Sequence, residues 1–108
     1  MSRVGKSSKP RARRPARKRV QLPEALDLTA AAPLSQSLLT HRGKPLTIDA
    51  SRVTRTGAQC LQVLLAAAAT WKADEVSIRL DKPSEEFLEG SRLLGISIDE
   101  HFAGRDQA

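Results

Sequence analysis

Cysteine, aromatic residues and long apolar runs are all scarce in this chain. Its single cysteine, Cys60, cannot close an internal disulfide. The usual support of small secreted folds is therefore excluded, and a reducing, cytoplasmic setting is expected. Aromatic residues make up 3% of the chain, with one tryptophan, two phenylalanines and no tyrosine. That leaves little for a base-stacking surface, and Trp71 is expected in the core or at a helix end. No apolar run reaches the ~18 residues of a membrane span, and the start lacks the ~7–15-residue apolar stretch of a secretory signal. No membrane insertion and no processing are expected.

Acids are absent from the first twenty residues, which hold Arg3, Lys6, Lys9, Arg11, Arg13, Arg14, Arg17, Lys18 and Arg19. The rest of the chain carries the other nine cations and all twelve acids, a net −3, so the overall +6 belongs to the N-terminal end. Pro10 and Pro15 break any helix there, and from Met1 to Arg19 the only apolar side chains larger than alanine are Met1 and Val4. Residues 1–19 are expected to be a disordered basic tail, and 20–108 a folded domain. Such a tail suits weak, salt-dependent contact with nucleic acid or acidic lipid.

Within the domain, Val20, Leu22 and Leu26 flank Pro23 as in an edge strand. Thr29 can cap a helix over 29–42, with Leu34, Leu38 and Leu39 as its apolar stripe and Gly43 as its end. Leu46 to Ala50 alternates like a central strand, and Ser51 to Thr56 reads as a polar loop. Leu61, Leu64, Leu65, Ala68 and Trp71 then recur at helical spacing over 57–72. Val76 to Leu80 alternates again, which completes a βαβ unit with a right-handed crossover. Ser84 is a good N-cap for a third helix, with Glu85 and Glu86 in its first turn and Phe87, Leu88 and Leu94 facing inward. Gly95 ends it, and Ile96 and Ile98 can add a last strand.

The inventory for catalysis is thin. His41 and His101 have no cysteine or carboxylate at ligand spacing, so no metal site is expected. Cys60 lies beside Leu61 with no histidine near it in sequence, which reads as a structural thiol rather than a nucleophile. There is no glycine-rich phosphate loop, no paired carboxylate motif and no cofactor signature. The chain is expected not to be an enzyme.

The informative stretch is 49–61, where a central strand turns through polar residues into a buried helix. Open α/β sheets place binding sites at such a point, although Ser51, Thr54 and Thr56 could equally make only turn and cap hydrogen bonds.

LDLTAAAPL at 26–34, LTIDASRV at 46–53, GAQCLQVLLAAAATW at 57–71 and LLGI at 93–96 together resemble the STAS domain family of anti-sigma factor antagonists and sulfate-transporter tails. The resemblance covers 22–96 and implies an α/β fold, a mixed sheet of about four strands flanked by helices, acting as a non-catalytic adaptor for protein partners. Phosphorylated members carry Asp-Ser-Ser-Gly at the start of the second helix, the second serine being the acceptor. Gly57, Ala58, Gln59 and Cys60 stand there, so Gln59 takes the acceptor position and cannot be phosphorylated. Ser51, Thr54 and Thr56 are left as candidate phosphorylation sites. RTGAQCLQVLLAA is similar to small STAS proteins associated with chemotaxis gene clusters in alphaproteobacteria, which implies a chemotaxis histidine kinase as partner. The partner surface implied is Ser51, Arg55, Thr56, Ala58, Gln59 and Gln62. Two alternatives remain open: binding of nucleic acid or an acidic surface through the tail, and a role as the STAS subunit of a lipid-transport complex.

Overall fold

The computed structural model describes residues 17–102. Lys18–Gln21 forms β1, Ala25–Leu26 a short β2, Leu28–Ala30 one 3-10 turn and Ala31–Leu39 helix α1. Leu46–Asp49 is β3, Arg55–Thr56 a short β4, Ala58–Ala73 helix α2 and Ile78–Asp81 β5. Glu85–Leu93 is α3, and Ile98–His101 closes the order as a second 3-10 turn. Among the described residues the main sheet has three strands, ordered β1-β3-β5 and all parallel, with β2 and β4 paired apart from it as a second parallel ladder. The α/β class holds, and among the described residues every strand pair is parallel.

Register and alternation give the sheet two unlike faces. Val20, Leu46, Ile48, Ile78 and Leu80 share one face and pack into the core. Arg19, Gln21, Thr47, Asp49, Arg79 and Asp81 share the other. Moving from β1 to β3 to β5 by two right-handed crossovers places both connecting helices on the same side. α1 and α2 accordingly pack on each other, over a core that fully buries Trp71, Phe87, Leu61, Leu64, Leu46 and Ile48. Each such side chain contributes about 1.5–3 kcal/mol of transfer free energy. Trp71 also satisfies its one polar atom, its indole N–H donating to the Lys44 carbonyl at 2.8 Å.

The expectation for the tail falls, for residues 1–16, outside the described residues. Its last positions do not behave as tail. Lys18 and Arg19 lie in β1, because the Lys18 amide donates to the Pro45 carbonyl at 3.1 Å and Arg19 bridges two carboxylates across the sheet.

Helix α1 is shorter at both ends than 29–42. Thr29 does not cap it: its hydroxyl donates to Asp27 Oδ1 at 2.7 Å, which favours the 3-10 turn before the helix. Helix α3 begins as expected, with Ser84 Oγ accepting the Phe87 amide at 3.0 Å. It ends in the paired bonds of a left-handed cap, Gly95 N to the Arg92 carbonyl and Ile96 N to the Ser91 carbonyl, both 2.9 Å. Gly95 takes a φ of +79° there, which a side chain would disfavour. Leu94 is exposed rather than inward, and Ser91 is buried in its place. Ile98 belongs to a 3-10 turn, not a strand, and plugs the core from there.

Candidate functional site

The end of β3 and the start of α2 are held by the chain that enters α1. Glu24's carbonyl accepts from the Thr54 amide at 2.8 Å and the Arg55 amide at 3.1 Å, and Leu26's carbonyl accepts from Gly57 N at 2.8 Å. These bonds make the 51–56 segment half ladder rather than free loop. A Cβ at Gly57 would stand 2.9 Å from that same Leu26 oxygen, so glycine is what lets α2 start this close to β2. One turn later Cys60, fully buried, places its Sγ 3.3 Å from the Asp27 carbonyl. Burial first, and the Asp27 charge second, push its thiol pKa up, which keeps it a protonated structural thiol. Val53, the one large apolar residue of the loop, is fully buried, and its carbonyl accepts from the Ser84 hydroxyl at 2.6 Å.

On this frame Ser51, Arg55, Ala58, Gln59 and Gln62 are exposed, and Thr56 is half-buried. They do not form one patch. Gln59 and Gln62 border a groove of about 360 Å³ between α1 and α2, whose walls include Ala31, Leu39, Val63 and Ala66. Leu39 is 56% exposed on its lip. Thr54 and Thr56 line a different, shallower depression against α3, beside Glu85, Glu86, Glu89 and Leu93. Ser51 sits apart from both, at the end of the polar sheet face.

The three hydroxyls offered for phosphorylation differ in access. Ser51 is exposed, but its hydroxyl and its amide, the latter at 2.9 Å, both serve the Asp49 carboxylate. Those two bonds, with Arg19 beside them, hold Asp49 down at a pKa of about 2. A phosphate on Ser51 would therefore meet a fixed negative charge. Thr54 is exposed and donates to the Glu24 carbonyl at 3.3 Å. The Thr56 hydroxyl oxygen is buried without a partner, close under Gly90 of α3, and no enzyme reaches it in this conformation.

Sequence reasoning missed the groove and Leu39. The signal is present in Leu38-Leu39: adjacent helical positions point about 100° apart, so one stripe cannot hold both, and Leu38 takes the core. Among the described residues no group of three or more His, Cys, Asp or Glu side chains could hold a metal ion, and no helix is long and apolar enough to cross a membrane.

A family model described as "Mlab, STAS domain" matches residues 11–98, which is most of the chain. The chain belongs to the STAS domain family. STAS domains are generally non-enzymatic regulatory domains that commonly bind protein partners. No curated protein and no solved structure gives a match.

Proposed function

We propose that this STAS domain is a constitutive protein-docking module whose partner surface is Arg55 of β4 and Ala58, Gln59 and Gln62 at the start of α2, together with the α1–α2 groove beside them. The observation that carries the reading is the placement of Gln59. It stands exposed on the mouth of an apolar groove, where a glutamine offers hydrogen bonds and no switchable charge. Ser51 acts by holding the loop through Asp49, and Thr56 is turned under α3.

The likeness of RTGAQCLQVLLAA to chemotaxis-cluster STAS proteins supports a cytoplasmic histidine kinase of a bacterial chemotaxis system as the partner. A pull-down with the full chain tests the identity: recovery of a histidine kinase supports it, and recovery of a transporter ATPase moves the domain to a lipid-transport complex. Gln59→Glu tests the surface. It puts a fixed charge at a contact that becomes desolvated, which typically costs several kcal/mol, so affinity for the captured partner falls at least about tenfold while folding is unchanged. Equal binding by Gln59→Glu and Arg55→Ala would put the docking surface elsewhere.

A further inference from the structure

A surface that meets water normally carries charge on about a quarter to a third of its residues. The outer side of the helical layer departs from this. Residues 28–40 and 57–71 contain no Asp, Glu, Lys or Arg, so all 18 cations and 12 anions of the chain lie outside these two stretches. The stretches form the 3-10 turn before α1, α1 itself and most of α2, and the two helices pack on each other. Burial does not account for the missing charge. Ala32, Gln36, Leu39, Gln62, Ala66 and Ala69 are all exposed.

Charge returns beyond the helix ends, where Arg42 Nε donates to Asp74 Oδ2 at 3.0 Å. A centre depleted of charge inside a polar rim is the composition of a protein–protein contact. This centre also has relief. The groove of about 360 Å³ between the helices is walled by the small side chains of Ala31, Ser35 and Ala66, and Leu39 stands 56% exposed on its lip. A phosphate-bearing ligand would find no cation here. A bilayer fits poorly as well, because helices that lie on lipid set Lys and Arg along their polar side, and Leu28 and Leu39 are the only large apolar side chains this layer exposes.

We infer that two copies of this chain pair through their α1–α2 layers, Leu39 of each copy seated in the groove of the other beside Ala66. Across a two-fold axis a patch meets itself, so a charge near the axis faces its own like. A layer without charge meets no such repulsion. It also holds both halves of a self-complementary contact, a projecting leucine and a groove to receive it, and its alanines let the helices of two copies approach closely. Helices of 9 and 16 residues offer a small contact, so the dissociation constant should be on the order of 10–100 µM. The pairing needs this chain alone and so stands apart from the partner reading above. A tighter-binding partner displaces the second copy from the groove.

The test is sedimentation equilibrium of the full chain at concentrations bracketing that constant. The weight-average mass should rise from 11.8 kDa toward twice that value. Leu39→Lys and Ala66→Glu, both at exposed positions, should each weaken pairing at least about tenfold by placing a charge in a desolvated contact. Mixed one to one, the two variants should regain the pairing that each has lost, because the new cation of one meets the new anion of the other. Circular dichroism confirms that each is folded, and either variant alone carries the test if the other unfolds. A parent chain that stays at 11.8 kDa throughout would overturn the inference, as would parental pairing in a folded variant. No recovery in the mixture would overturn the placement of Leu39 against Ala66. Salt should leave the parental pairing intact; its loss in about 1 M salt, where charges are screened beyond ~3 Å, would show that opposite charges elsewhere on the chain hold the copies together and would overturn the inference.

Discussion

Asp49 Oδ2 accepts a hydrogen bond from Arg19 Nη2 at 2.9 Å, across the boundary between β1 and the β3 strand beside it. The same guanidinium nitrogen lies 2.7 Å from Asp81 Oδ2 on the third strand, so one side chain ties all three strands together on the polar face. Asp49 also receives the Ser51 hydroxyl and amide. The carboxylate that begins the candidate loop is thus the one that fastens the sheet.

This arrangement predicts an acid-sensitive fold. Asp49 titrates at about 2 in the folded chain against an ordinary 3.8, chiefly because of the Ser51 hydroxyl, then the Ser51 amide, with Arg19 adding to it. A lowered folded pKa contributes stability that is fully present above the unfolded value and is lost as pH falls through the folded one. Stability should therefore decline between about pH 4 and pH 2, by about 1 kcal/mol from this group once water screening of the half-exposed Arg19 is allowed for. Urea melts of the parent and Asp49→Asn over that range check it. The variant should be the less stable at pH 7 and should show a flatter decline; identical profiles would remove Asp49 as the source.

Gly57→Ala should destabilise the domain by about 1–3 kcal/mol, the usual cost of forcing an atom into a closed space. The new Cβ would meet the Leu26 carbonyl at 2.9 Å, and the obstacle is backbone, which cannot rotate away. A urea midpoint within error of the parent would show that β2 and α2 separate easily.

Ser84 makes two bonds that different substitutions can divide. Ser84→Ala removes both the cap on Phe87 N and the tie to the Val53 carbonyl, and should cost about 1–2 kcal/mol. Ser84→Asp keeps an acceptor for the cap but has no hydrogen to give Val53, and should fall between parent and alanine. Thermal melts rank the three; an aspartate variant no better than alanine would make the Val53 tie the dominant bond.

Leu39 offers the cleanest separation of docking from stability. It is 56% exposed, so Leu39→Lys should leave the melting temperature within about 2 °C, as surface changes do. If the α1–α2 groove is part of the partner surface, the same change should weaken partner binding about tenfold by removing apolar area and adding a charge. Titration calorimetry against the partner decides it, and unchanged affinity would confine docking to the start of α2.

Much of the domain could be read from the chain because its signals are local. Alternation in Leu46 to Asp49 and Ile78 to Asp81, the 3.6-residue spacing of Leu61, Leu64, Ala68 and Trp71, Ser84 before two glutamates and Gly95 after Leu94 each depend on a few adjacent residues. The order of types, strand then helix then strand, followed from them, as did the parallel crossover. That position 59 is a glutamine is likewise a fact of sequence.

What the sequence could not express was set by groups distant along the chain that meet only when it folds. The β2–β4 ladder is two residues long on each side and is held by the carbonyls of Glu24 and Leu26, which any residue type would supply. Lys18 and Arg19 looked like tail because their charges match those before them; they are strand because Asp49 and Asp81, 30 and 62 positions away from Arg19, lie on the same sheet face. The same holds for the candidate site. Periodicity placed Gln59 and Gln62 on the outside of α2, but only the packing of α1 against α2 decided that they border a groove while Thr56 turns under α3, because which exposed residues become neighbours depends on how the helices dock.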